Sequence, residues 1–252
     1  MQWRLIGQQA YTAAMNMAID EAICESVASE EKPPTVRFYK WKNNSVSLAS
    51  NQNQDEINLE LCKKNKVDVV RRITGGRAVY HDKGDFTYSV IAPISAFGNI
   101  QNAYSEICSW IINALGDLGV NSELKNKNDV MVGGKKISGN AAKLINNNVY
   151  LQHGTLVYCI DFELMPKALK ITKETAKEKI ASITGFKKTS QTKVYETLKN
   201  NFIKDKSIKT EKLSNKELNN AQKLAKTKYS SIKLPNSIIQ KNKGACYVLS
   251  GN

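Results

Sequence analysis

Arg71-Arg72-Ile73-Thr74-Gly75-Gly76-Arg77-Ala78-Val79-Tyr80-His81-Asp82 places two arginines, a glycine pair, a third arginine and a His-Asp pair between two apolar stretches, Val67 to Arg72 and Phe86 to Ala92. Both stretches are rich in β-branched and aromatic residues and read as strands, so the loop sits at a strand end. Glycines lack Cβ atoms, turn sharply and can bring N–H groups against an anion. The guanidinium forks of Arg71, Arg72 and Arg77 can hold carboxylate or phosphate bidentately. A bare Gly-Gly pair says little, and a surface hairpin with solvated arginines is the bland alternative. Three flanking arginines favour an anion-binding loop.

A second cluster follows at Asn128-Asp129-Val130 and Gly133-Gly134-Lys135-Lys136-Ile137-Ser138-Gly139. Adjacent lysines on a strand point to opposite faces, so only one can meet the anion held by the first loop. Lys136 is the expected one, because it runs on into Ile137 and Ser138 while Lys135 borders the Gly133-Gly134 turn. Asp129 could hold Mg²⁺ with one carboxylate while phosphate supplies other ligands, or it could cap a turn. The two histidines, His81 and His153, are too few and too far apart for a zinc site and read as loop-orienting groups, His81 nearer the nucleotide. The combination points to a nucleotide-activating enzyme.

Apolar residues at helical spacing predict a first helix over 10–27, with Asn16, Asp20 and Glu21 on or beside its polar face. After Pro33-Pro34, the runs 36–41 and 46–48 predict a hairpin about Lys42-Asn43-Asn44. A second helix is expected over 103–118, stopped by Gly119, and short strands at 129–132, 136–138 and 149–158. Strands are then expected to cease. Helical segments follow near 162–170, 174–182, 191–203 and 214–228, before an irregular tail with Pro235 and Gly244.

The chain has 252 residues, 41% apolar and 24% charged, enough for a full core. We expect one catalytic domain over 1–252 with a lysine-rich helical part from about residue 162. Net charge is +14; residues 161–252 hold 20 basic against 8 acidic residues, while 1–160 hold 17 against 15. That excess is nearly all lysine without interleaved aromatics, which suits a solvated face better than a base-stacking surface. Five scattered cysteines, an odd number with no C-x-x-C pair, indicate neither a disulfide framework nor a zinc site. No leader-like apolar segment opens the chain and no apolar run approaches the roughly 20 residues of a membrane helix. A soluble cytoplasmic protein is expected, with no membrane and no nucleic acid among its partners.

The chain resembles the lipoate-protein ligase family, related to biotin ligases and to lipoyl or octanoyl transferases. The resemblance is carried by Asn16 to Ala22, Val36 to Trp41, Arg71 to Asp82, Asn128-Asp129-Val130, Lys135 to Gly139 and Gln152-His153-Gly154-Thr155-Leu156, in the family's order. It implies an α+β fold, a mixed and largely antiparallel sheet flanked by helices, of biotin/lipoate-ligase type. It also implies a two-step reaction. Lipoate and ATP give lipoyl-AMP, and the lysine of a lipoyl-domain protein (a 2-oxoacid dehydrogenase E2 or a glycine-cleavage H protein) then takes the lipoyl group.

On that resemblance Lys136 is catalytic, contacting both lipoate carboxylate and α-phosphate. Arg72, Arg77, Ala78, Val79 and Tyr80 bind nucleotide with it. Arg72, Thr74, Gly75, Gly76, His153 and Gly154 line the substrate site, with Asp129 on Mg²⁺. Ala49-Ser50-Asn51-Gln52 departs from the family's aromatic segment, which places the acyl pocket's shape in question. Arg77 replaces a third glycine, a variant also found among octanoyltransferases. Such transferases carry the acyl group on a cysteine, either shortly before the lysine motif or after the His-Gly strand, and neither occurs here; Cys159 is the remaining candidate. Ligase is the expected activity, cysteine-dependent octanoyl or lipoyl transferase the alternative, and a basic nucleic-acid-binding module the third reading. A short form lacking the C-terminal accessory domain, served by a small accessory subunit, is also expected.

Overall fold

A computed structural model describes residues 1–232; Pro235, Gly244 and Cys246 lie outside the described residues. The chain runs β1 (Gln2–Tyr11), α1 (Ala13–Ala28), β2 (Thr35–Trp41), β3 (Ser45–Leu48), α2 (Leu59–Lys64), β4 (Asp68–Arg71), β5 (Val79–His81), β6 (Phe86–Pro93), α3 (Ile100–Asp117) and β7 (Glu123–Lys125). It continues through β8 (Asp129–Val132), β9 (Lys135–Ile145), β10 (Val149–Leu156), α4 (Met165–Ala168), α5 (Lys173–Lys179), α6 (Ile183–Phe186), α7 (Gln191–Ile203), β11 (Ser207–Thr210) and α8 (Asn215–Thr227). Eight strands form one sheet in the order β11-β1-β2-β6-β10-β9-β8-β7, and β4-β3-β5 form a second. Within the large sheet β1 is parallel to β2 and β11 and the remaining pairs are antiparallel, as the α+β expectation required.

Alternation along the strands sorts side chains to two faces. Val36, Phe38, Tyr88, Val90, Tyr150 and Leu156 face α3 and α7, where Ile107, Ile111, Leu198 and Phe202 complete one core. Tyr39, Trp41, Ile91 and Leu151 face α1, whose Ala18, Ile19, Ala22 and Ile23 form the second. A third core lies under the small sheet, where Val46, Leu48, Val67 and Tyr80 pack against Met165, Ala168 and Ala176. Helix starts carry the hydroxyl or amide caps that satisfy their first N–H groups: Thr12 on α1, Asn99 on α3 and Ser214, in a capping box with Glu217, on α8.

Four local expectations are corrected. Residues 2–11 form β1, and only from Ala13 does the chain become helical; Trp3 to Ile6 are all buried, Arg4 included, so the strand shows no alternation to read. The runs 36–41 and 46–48 are not a hairpin. β2 joins the large sheet and β3 the small one, and the Lys42-Asn43-Asn44 turn carries the chain between them. Asn16 and Asp20 are buried, not on a polar face, because Arg37 meets both. Strands also do not cease after residue 158. β11 extends the sheet edge beside β1, and its short, largely exposed Ser-Ile-Lys-Thr run leaves no burial signal in the sequence.

Candidate active site

A cleft of about 240 Å³ is bordered by both sheets, by Met17 of α1 and by the loop between β4 and β5. Its floor is built by register. Thr87, Thr155 and Gly139 form one row across β6, β10 and β9, and Ser89, His153 and Ala141 form the next on the same face. The row on the reverse face holds Tyr88, Gly154 and Asn140. A Cβ at Gly154 would overlap Asn140 Oδ1 and lie 2.7 Å from the Tyr88 hydroxyl, so the Tyr88–Asn140 hydrogen bond leaves room only for glycine. His153-Gly154 therefore sits mid-strand in β10, inside the strand expected over 149–158.

Lys136 reaches the cleft through a β-bulge. The β8–β9 register steps from Val130↔Ser138 to Met131↔Lys136, leaving Ile137 unpaired. Ile137 is buried in the core beneath α3, and Ser138 sits in the Leu156 row of that same face. The extra residue reverses the alternation and re-aims the next side chain, a common device beside active sites. Lys136 thus lines the cleft, while Lys135 turns aside to donate to the Lys177 carbonyl at 2.7 Å.

Asp129 Oδ1 lies 2.9 Å from Lys136 Nζ, an ion pair that sets the carboxylate beside the ammonium at the cleft. Among the described residues no group of three His, Cys, Asp or Glu side chains could hold a metal by itself. Asp129 is the carboxylate that borders this cleft, and one carboxylate is enough for an ion such as Mg²⁺ that takes its other ligands from water or a bound anion.

Arg72 organises the loop. Its five N–H donors are all engaged: Nε with Thr74 Oγ1 at 3.1 Å, Nη1 with Ser47 O at 2.8 Å and Ser47 Oγ at 3.2 Å, Nη2 with the carbonyls of Gly75 at 2.7 Å and Arg77 at 2.8 Å. Burial pulls its pKa down to about 10, which leaves it a cation at neutral pH. Because those two carbonyls turn inward, their trans peptides aim the N–H groups of Gly76 and Ala78 away from Arg72, as an anion nest requires. Gly76 has φ +102°, a conformation that favours glycine. Arg72 borders the same cleft as Lys136, but its fork is spent on the loop. Arg77 is exposed on the cleft rim.

Beneath the loop runs a buried polar chain. Thr74 Oγ1 is 2.7 Å from His153 Nε2, and His153 Nδ1 is 3.2 Å from Asp20 Oδ2. A carboxylate only accepts, so Nδ1 carries a proton. Asp20 Oδ1 receives Arg37 Nη1 at 2.5 Å, and Arg37 also donates to Asn16. Burial alone would raise the Asp20 pKa, but Arg37 and then His153 outweigh it and hold the carboxyl below its ordinary range. His81 stacks on Trp41 at 4.1 Å and bonds Ser47 Oγ and Thr155 Oγ1; burial, then Arg72, push its pKa well down and keep it neutral.

Of the expected site residues, Arg72, Gly75, Gly76, Arg77, Ala78, Val79, Asp129, Lys136, His153 and Gly154 border this one cleft. Thr74 is fully buried and meets it through its bonds to Arg72 and His153. Tyr80 alternates away from Val79 and His81 into the small-sheet core, where its hydroxyl accepts from Asn44. Arg71, expected to bind an anion, instead donates to backbone carbonyls of Ala49, Gln52 and Ile232. The same bonds show what residues 49–52 do: they form a turn held by Arg71 and do not border the cleft. Met17, Trp41, Ser47, Thr87 and Ala141 line it without having been singled out. An arginine inside Val36-Arg37-Phe38 was the available signal, since a charge in an apolar strand demands a buried partner.

A family model for the lipoyl protein ligase A/B catalytic domain matches residues 12–209. The chain belongs to this family. Among its relatives, Octanoyltransferase LipM of Clostridioides difficile is 33% identical over 210 residues, covering 74% of this chain and 76% of that protein. Lipoate-protein ligase 1 of Staphylococcus aureus is 32% identical over 228 residues, covering 85% and 67%. A crystal structure of lipoate-protein ligase A bound with ATP superposes with a TM-score of 0.83 at 29% identity, covering 93% of this chain and 98% of that one. The bi-partite lipoate-protein ligase of Thermoplasma acidophilum, described with its E2 lipoyl domain, gives 0.82 at 29% identity, covering 92% and 95%. The chain is thus an enzyme of the lipoate ligase and transferase family. No helix among its described residues is long and apolar enough to cross a membrane.

Proposed function

We propose that this chain is an ATP-dependent lipoate-protein ligase, acting on a lipoyl-domain acceptor. One observation carries the choice between ligase and transferase. Among the described residues no cysteine borders the cleft that holds Lys136: Cys24, Cys62 and Cys108 are buried, and Cys159 is exposed outside it. Burial lifts the Cys108 thiol to about 12, far from a thiolate at neutral pH. The nucleotide-binding relative with the same fold supports ATP as the activating substrate.

In the first step a carboxylate oxygen of lipoate attacks the α-phosphorus and the bond to pyrophosphate breaks. The carboxylate is already ionised, so no general base is needed, and the chain's task is alignment and charge neutralisation. Lys136 supplies the ammonium between carboxylate and phosphate. The nest shaped by Arg72 and the rim guanidinium of Arg77 hold phosphate oxygens, and Asp129 would hold a Mg²⁺ that neutralises phosphate charge. Met17, Trp41, Val79 and Ala141 offer apolar surface for the acyl chain. In the second step the acceptor amine attacks the acyl carbon, AMP leaves, and the amine's proton is released.

The test incubates the full chain with ATP, Mg²⁺, lipoate and an apo lipoyl domain, and separately with octanoyl-carrier protein without ATP. Acceptor labelling that requires ATP, with lipoyl-AMP captured when acceptor is withheld, is the expected result. Octanoyl transfer without ATP, stopped by thiol alkylation, would overturn it.

A further inference from the structure

Helix α8 and the segment running on to Ile232 lie past residue 209, where the family match ends, yet they are fastened to the part that carries the cleft. Arg4 of β1 pairs bidentately with Glu217 of α8 at 2.9 and 2.6 Å, both side chains fully buried. Lys228 Nζ then meets the Glu21 carboxylate of α1 at 2.6 and 2.8 Å, and the Tyr229 hydroxyl donates to the same group. The segment ends beside the small sheet. Ile232 packs its side chain against that sheet's core, and its carbonyl accepts Arg71 Nε at 3.1 Å and Nη2 at 2.6 Å.

Arg71 does more than anchor this segment. Its Nη1 donates to Ala49 O at 2.8 Å and Gln52 O at 2.7 Å, so one planar fork joins the exit of β3, the end of β4 and the C-terminal segment. The next residue is Arg72, around which the Gly75–Arg77 loop is wrapped. Any shift of Arg71 moves the backbone that launches Arg72. A lysine could not hold three carbonyls lying in two directions, because only guanidinium presents a rigid fork.

We infer that residues 228–232 form a strap that sets the position of the Gly75–Ala78 loop through the Arg71–Ile232 contact, making these two a positioning pair for nucleotide binding. The nucleotide rests on the function proposed above; the loop's placement does not. A purely structural anchor would change stability alone, whereas a positioning strap changes nucleotide affinity and loop protection.

The experiment uses full-length Arg71→Gln, Ile232→Ser, their double variant and Ile232→Val, each checked for cooperative unfolding. Each of the first two singles should raise the KM for ATP about tenfold and speed amide exchange at Gly75–Ala78 by a similar factor, while the double is no worse than the worse single because the contact is shared. With supplied lipoyl-AMP, whose adenylate docks on the same loop, KM should rise in step while the rate at saturation stays within about twofold, as expected for lost binding and not lost chemistry. Ile232→Val, which keeps the apolar anchor, should match the parent. Unchanged loop exchange in a folded Ile232→Ser variant, or effects that multiply in the double, would overturn the strap. Absence of any adenylate in the parent would sink the ligase reading, and amide exchange would still judge the strap.

Discussion

The two faces of the large sheet differ in what they bury beside their apolar cores. Toward α3 and α7 the core is apolar and aromatic, with the Phe202 ring meeting Phe38 at 5.2 Å, Tyr88 at 4.7 Å and Trp110 at 5.3 Å, all edge to face. Toward α1 the same strands bury Arg37, His153 and Ser89 against Asp20 and Asn16, and Arg37 lies 4.0 Å over the Tyr39 ring. Non-directional packing tolerates small shifts, whereas a chain of paired charges fixes each member's angle. The cleft lies on the second face, where the polar chain ends in Thr74 and the loop. Buried polarity here orients a site, and the apolar face holds up the sheet.

Breaking the comparison at its strongest point means removing Asp20. Asp20→Ala leaves Arg37 buried and uncompensated, a change that costs about 3–5 kcal/mol, and it should also loosen His153 and Thr74 and so reduce adenylation. The Asp20 pKa is depressed in the folded state, so its stabilisation is present above the unfolded carboxyl range near 3.9 and is lost as pH falls through the folded value. Acid unfolding of the parent should therefore contain a component that Asp20→Ala lacks; superimposable acid profiles of the two would dismiss the pairing. Lys136→Ala comes next. It should lower adenylate formation by about 10²–10³-fold, the range for removing one preorganised charge-stabilising donor, with unfolding unchanged because the side chain is 45% exposed. A folded variant with parental activity would remove Lys136 from the reaction. On the other face Phe202→Leu gives up three ring contacts and should destabilise by about 1–3 kcal/mol, with kcat and KM preserved. If it reduced adenylation as Asp20→Ala should, the division between faces would fail.

Legibility followed the same division. Lys136, Arg77, the glycine pair and both histidines announce themselves because unusual side chains cluster at short spacing, and all of them border the cleft. The amphipathic α3 was readable because one of its faces is wet. What could not be read was relational. Arg4 and Arg37 sit among apolar residues and call for partners, but nothing local names Glu217 and Asp20, 213 and 17 residues away. Plain alternation offers two lysines, and a bulge at Ile137, which no local residue demands, decides which one faces in. By residue type Arg71 and Arg72 look alike, and only the resemblance singles out Arg72; opposite directions on a strand end send one to the small-sheet turn and the other into the loop. The β2–β3 turn looked like a hairpin because the partners that separate those strands, β6 and β4, come much later in the chain.

The smallest expected effect sharpens the comparison by testing a residue on neither face. Cys159 follows the end of β10 and is exposed, three residues past Leu156, with no part in the cleft. Strand alternation would have set it on the His153 side, but the strand has ended and the chain has turned toward α4. Cys159→Ser exchanges one solvent-facing group for another, and such substitutions usually stay within about ±0.5 kcal/mol. Melting temperature and ATP-dependent lipoylation should both match the parent. Loss of acyl transfer in this variant, with the fold intact, would mean that the acyl group passes through a thiol outside the cleft, and the chemistry would then belong with the octanoyltransferase relatives.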